Sequence, residues 1–250
     1  MNETGQTPET VLSVNLNKIA LLRNSRGRNY PSVVDFARKT IELGVKGITI
    51  HPRPDERHIR QQDARDLAIL LTEYKDVELN VEGFPTESFI ALVQETRPHQ
   101  VTLVPDGESQ LTSDHGWNLT DHLDELTQAC DQLRLSAGRL AVFVDPGVDL
   151  TAVKGVCNRV ELYTEAYAVA YASGDDAQIQ SSLALYRRSV EQAQMLGLGV
   201  NAGHDLDLHN LARFLEIPQI LEVSIGHALT VEALENSWSD VIGRYLSLCR

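Results

Sequence analysis

No apolar run in this 250-residue chain approaches the roughly 20 residues needed to span a bilayer. The opening MNETGQTPET lacks the basic and apolar regions of a signal peptide, and residues 1–10 read as a short disordered tail. Cysteine is scarce: Cys130, Cys157 and Cys249 lie far apart and match no zinc or redox spacing. They read as reduced, buried small hydrophobes, which suits a cytoplasmic protein. Basic residues are outnumbered 22 to 35, for a net charge of −13, which argues against nucleic acid or an anionic membrane as partner. No G-x-G-x-x-G opens the first helix, so a dinucleotide-binding doubly wound sheet lacks its fingerprint. What is present is ordinary for a soluble globular protein: 42% hydrophobic and 23% charged residues, enough for one large α/β domain or two small ones.

The stretch IELGVKGITIHPRPDERHIR, 41–60, is the most informative. A helix end and a glycine turn lead into a β-branched strand that stops at His51, because the following Pro52 offers no ladder hydrogen bond. Imidazole and guanidinium groups are thereby crowded at the carboxyl end of a strand, where parallel α/β folds keep their chemistry. Short apolar runs read as buried strands and longer periodic ones as helices. Strands are expected at 12–17, 47–51, 78–82, 100–105, 140–145, 159–163, 199–202 and 222–225. Helical patterns fall near 32–43, 61–74, 86–96, 119–135, 150–156, 179–196, 208–214 and 231–248. This alternation predicts a single (β/α)8 TIM barrel spanning 11–250, with a doubly wound open sheet as the alternative. The two longest interruptions, 106–118 and 165–178, fall on the side where barrels keep their lids.

Strand residues alternate between two faces. Asn15 and Asn17, Thr49 and His51, Asn80 and Glu82, and Glu161 and Tyr163 then point inward, with Val14, Leu16, Ile48, Ile50, Leu79, Val81, Val160 and Leu162 outward. A network such as Asn80 with Glu161 could satisfy one or two of these polar groups. It is a poor account of four strands at once, so the interior is expected to end in a polar site. NAGHD (201–205) and SIGHA (224–228) each run from strand through Gly-His into helix, a setting that offers backbone N–H groups to an anion. Arg23, Arg26, Arg28, Arg53, Arg57 and Arg60 cluster after the first two strands, and their forks suit phosphate or carboxylate. The alternative is a solvated surface with ion pairs to Asp55 and Glu56.

These segments resemble the pyridoxine 5′-phosphate synthase family, the ring-closing enzymes of vitamin B6 biosynthesis. The resemblance is carried by VNLNKIALLRNSRG, GITIHPRPDERHIR, LNVEG, VTLVPD with QLTS, ELYTEAYA, NAGHDL and EVSIGHAL, which span nearly the whole chain. It implies a barrel assembled as an octamer, a transferase needing no metal or organic cofactor. The implied substrates are 3-amino-2-oxopropyl phosphate and 1-deoxy-D-xylulose 5-phosphate, and the implied products are pyridoxine 5′-phosphate, phosphate and water. On this resemblance His51 and Glu82 match the general bases and His204 the general acid. Arg53, His58 and Thr112 match contacts to the deoxyxylulose phosphate, and Asn15, Arg26, Gly226 and His227 contacts to the amino-ketone phosphate. Many members carry Asp-His where this chain has Asn17-Lys18, changing the charge and reach of contacts to the sugar phosphate. The position after His204 is often glycine; Asp205 keeps the backbone N–H, but its carboxylate would repel a phosphate if it turned inward.

From the residues alone, other functions stay open. A desolvated Lys18 could form a Schiff base in an aldolase, although alternation gives the inward position to Asn17. His51, Glu82 and His204 could ligate a metal in an isomerase, without a local motif such as His-x-His. A non-catalytic phosphosugar-binding barrel would explain the arginines and glycines, but not Glu82.

Overall fold

The computed structural model describes residues 9–107 and 113–249, so most of the 1–10 segment and Thr112 lie outside the described residues. Eight parallel strands close in chain order into one barrel. They are β1 (Val11–Asn15), β2 (Gly47–Ile50), β3 (Glu78–Gly83), β4 (Gln100–Leu103), β5 (Arg139–Val144), β6 (Arg159–Tyr163), β7 (Gly199–Gly203) and β8 (Ile220–Ile225). Pairing of Val11 with Glu222 and Val14 with Ile225 closes the ring. The expected (β/α)8 barrel is therefore the fold.

The outward strand residues Val14, Ile48, Ile50, Leu79, Val81, Val160 and Leu162 are buried under the helices. The helices are α1 (Asn17–Asn24), α2 (Val33–Glu42), α3 (Gln61–Leu71), α4 (Glu87–Thr96), α5 (Leu123–Leu133), α6 (Glu165–Ala172), α7 (Asp176–Met195), α8 (Leu211–Phe214), α9 (His227–Glu235) and α10 (Trp238–Leu248). Ser32, Thr86 and Ser237 cap three of them by accepting backbone N–H groups of Asp35, Phe89 and Asp240.

Four expectations need correction. Strand one ends at Asn15, not Asn17: the Asn15 side chain accepts the Asn17 N–H and turns the chain into α1. The helix expected at 150–156 is only a 3-10 turn, Leu150–Val153, stopped before Gly155 at φ +77. The 165–178 interruption is helical, since the alanine-rich EAYAVAYA of α6 favours helix without showing a periodic face. The last helix breaks in two where Ser237 caps α10.

The interior is polar well below the mouth. Ser13 and Thr49 hydroxyls lie 2.7 Å apart, and the Asn80 amide donates to Thr49 at 3.4 Å. The Thr102 hydroxyl is 3.1 Å from Asn80 Oδ1 and 3.2 Å from Glu161 Oε2. One layer down, Arg139 reaches Glu78, Gln100 and Glu222, while Arg159 donates to Asn201. A structural network therefore does span more than four strands, and the polar pattern marks a column as well as a site. Burial, followed by the charge of Glu222, pushes Glu161 up to about 8. Glu161 thus keeps its proton in the folded state where the unfolded chain has lost it, and this costs stability as pH rises. Glu161→Gln removes that penalty. The variant should match wild type near pH 4.5 and gain on it up to about pH 8, by at most about 1.4 kcal/mol per pH unit. Urea titrations at both ends of this range check the trend; a difference that does not change with pH refutes it.

Candidate active site

A cavity of about 410 Å³ opens at the carboxyl ends of the strands. His51 and Glu82, at the ends of β2 and β3, line it together with His204 beyond β7. Asn15, Asn17, Lys18, Arg53, His58, Asp205, Gly226 and His227 line it as well. Arg26 is exposed and lies outside the lining of its own chain's cavity, and Thr112 falls outside the described residues.

The local fold explains these placements. The Asn17 side chain accepts the His51 N–H at 2.9 Å, tying the start of α1 to the end of β2. Both Asn17 and Lys18 reach the cavity, because strand alternation no longer applies beyond Asn15. Gly226 approaches β1 so closely that an added Cβ would lie 2.8 Å from the Asn15 Cβ. It also caps α9, leaving His227 at the helix N-terminus facing the cavity. His204 and Asp205 have left-handed φ values of +82 and +55. The turn is held by the Thr164 hydroxyl, which donates to the Gly203 and His204 carbonyls, and by Asn210, which donates to the Asp205 carbonyl. Backbone strain at such positions persists only where surroundings enforce it.

His51 Nδ1 lies 3.9 Å from Glu82 Oε2. Burial, then the Arg53 cation, holds His51 well below the usual imidazole range. Burial lowers His58 and His204 to about 4. Glu82 is pushed well above the carboxylate range, first by burial and then by Glu161, Asp106 and Glu222. The site thus pairs neutral imidazoles with a carboxyl that resists ionisation, a set suited to proton transfer near neutral pH.

The arginine cluster divides. Arg23 is buried and ion-pairs with Asp63, while also donating to the His58 carbonyl, so it builds the loop and faces no ligand. Arg57 pairs with Asp55, as the solvated-surface alternative had it. Arg53 remains in the cavity and pairs with Asp106. Sequence reasoning assigned no role to Asp106, Ser113, Asp114 or Glu165. Asp106 stands in the recognised VPD segment, and Glu165 follows a strand end, which was the available signal. The Tyr163 hydroxyl donates to Glu165 at 2.6 Å, and its ring meets His204 edge-on, so Tyr163 belongs to the wall. Glu161 belongs to the column beneath.

These features define an α/β barrel whose mouth gathers titratable side chains, two basic side chains and a helix N-terminus in one cavity. Residues 12–250 match the family model "Pyridoxal phosphate biosynthesis protein PdxJ", and the chain belongs to that family. The "Pyridoxine 5'-phosphate synthase" of Flavobacterium johnsoniae is 48% identical over 241 residues, covering 95% of this chain and 98% of that one. The protein of the same name from a Chelativorans species is 47% identical over 245 residues, with 95% and 98% covered. Among solved structures, the tryptophan synthase alpha chain of Legionella pneumophila superposes with a TM-score of 0.66 at 12% identity, covering 97% of this chain and 92% of that one. Phosphoribosylanthranilate isomerase from Thermotoga maritima gives 0.56 at 12% identity, covering 96% and 98%. These two likenesses speak for the fold alone.

The buried histidines give a direct check. Ring NMR signals of His58 and His204, assigned with His58→Asn and His204→Asn, should stay in the neutral form as pH falls and titrate only near 4. Titration of either ring above pH 6 contradicts the burial argument.

Proposed function

We propose that this protein condenses 3-amino-2-oxopropyl phosphate with 1-deoxy-D-xylulose 5-phosphate. The products are pyridoxine 5′-phosphate, phosphate and water, formed by general acid–base catalysis at the barrel mouth. The observation that carries this reading is the convergence of His51, Glu82 and His204 on one cavity that also holds Lys18, Arg53 and the N-terminus of α9. Near full-length relatives named for pyridoxine 5'-phosphate synthesis support it.

In this reading His51 and Glu82 act as bases, Glu82 taking that role once it has passed on the proton that burial leaves on it. A neutral His51 can accept a proton directly, and Glu82 Oε2 at 3.9 Å is close enough to exchange protons with it after a small shift. His204 is the acid. Two bound phosphates would bring negative charge into the cavity and raise its affinity for a proton. Asn17, Lys18, Arg53, His58 and Thr112 hold the deoxyxylulose phosphate. Asn15, the Asp205 backbone, Gly226 and His227 hold the amino-ketone phosphate, with the anion at the N-terminus of α9. Arg26 matches a contact to the same phosphate. The chain works in the cytoplasm as a homo-oligomer, an octamer by resemblance. Exposed Leu21 and Leu22 on α1, and Val231 and Leu234 on the touching α9, suit burial between copies.

Purified protein given both substrates should produce pyridoxine 5′-phosphate absorbance and release phosphate, and neither substrate alone should give product. Glu82→Gln should lower turnover by about 10²–10⁴-fold while leaving substrate binding largely intact. Turnover close to wild type in that variant sinks the assignment.

A further inference from the structure

The Arg53 guanidinium does not face the cavity with its whole fork. Its Nη2 is ion-paired with Asp106 Oδ2, and the two side chains are only 5% and 1% exposed. The same carboxylate oxygen accepts the Ser113 hydroxyl at 2.7 Å. Its other oxygen, Oδ1, is buried with no hydrogen-bond partner among the described residues. A buried ion pair is worth keeping only when its remaining lone pairs are satisfied, and this one is half satisfied. Burial also holds Asp106 above the usual carboxylate range, in line with an ill-compensated charge.

A second cavity of about 20 Å³ borders the pair. Arg53 and Asp106 line it together with Gln61, Thr86 and Ser88, whose amide and hydroxyl groups can donate to a carboxylate. Asp106 therefore borders a second polar pocket that can take its charge. An incoming anion must match what Asp106 already gives Arg53. A ligand carboxylate brings one charge and can do no more than break even. A phosphate dianion brings two charges and three acceptor oxygens and outbids it.

We propose that Asp106 is a specificity-determining residue: it withholds Arg53 from singly charged anions and yields it to a phosphate dianion by turning toward Gln61, Thr86 and Ser88. This rests on the reading of Arg53 as a phosphate ligand in the proposed function. Calorimetric titration of the full-length protein with inorganic phosphate and with acetate, near about pH 8, tests it without needing turnover. Asp106→Asn should tighten phosphate binding about tenfold, as removal of a neighbouring like charge requires, and should make acetate binding measurable where wild type shows none. Asp106→Ala should shift both in the same direction. A role confined to orienting Arg53 or supporting the fold gives the opposite sign, weaker phosphate binding in both variants, and overturns the proposal. Unchanged phosphate affinity also overturns it. Arg53→Met separates the two layers of the reading. If it retains both the stoichiometry and the affinities of wild-type phosphate binding, Arg53 is no phosphate ligand and its assigned role falls along with that of Asp106. If it loses binding while Asp106→Asn fails to gain, only the role of Asp106 falls.

Discussion

A closed parallel barrel has no edge, so every polar side chain on its inner face must find its partner inside the ring. This constraint governs the molecule. Ser13, Thr49, Asn80, Thr102 and Glu161 satisfy one another across five strands, and Gln100, Arg139, Arg159, Asn201 and Glu222 do so beneath them. The column does more than fill space. It gathers buried carboxyls inside the ring, and after burial Glu161 contributes most to raising Glu82. The proton affinity of the group at the mouth is thus tied to the state of the layer below it. Gly203 belongs to the same arrangement, since an added Cβ would meet Glu161 Oε1 at 2.7 Å.

Above the column the same low-dielectric setting acts oppositely on imidazoles. Burial that raises Glu82 lowers His51, His58 and His204, so the desolvated mouth holds its acid–base groups in uncharged forms. Substrates bearing phosphate would supply the charge that lets proton transfer begin, and the protein avoids burying that charge beforehand. The left-handed turn at His204 and Asp205 fits this economy. It places an imidazole against Phe143 and Tyr163, with its Nδ1 buried and free of hydrogen-bond partners among the described residues.

Much of this was legible in the residues. Period-two alternation sorted Asn15, Thr49, His51, Asn80, Glu82, Glu161 and Tyr163 correctly inward, because the side-chain period of a strand survives closure of the sheet. Asn17 also lines the cavity as alternation expected, but Lys18, which alternation turned away, lines it too. Both reach it from the first turn of α1, which Asn15 initiates by a local side-chain bond that alternation does not register. The α6 segment was hidden because a helix rich in alanine shows no apolar stripe. Arg23 and Arg53 could not be told apart in sequence. One meets Asp63 at 40 residues' separation and the other Asp106 at 53, and partners that distant are set by the fold.

The departures from the family pattern make physical sense together once they are placed on the walls. Replacing Asp-His with Asn17-Lys18 removes a negative charge and adds a positive one on the side formed by β1 and β2, next to Arg53 and His58. Asp205, where glycine is common, adds a negative charge beyond β7, within electrostatic reach of Glu165. Burial holds Asp205 above the usual carboxylate range and the Glu165 charge pushes it the same way, while His227 draws it down. Asp205 is tolerated in its left-handed position because its short side chain is among the few that accept that geometry.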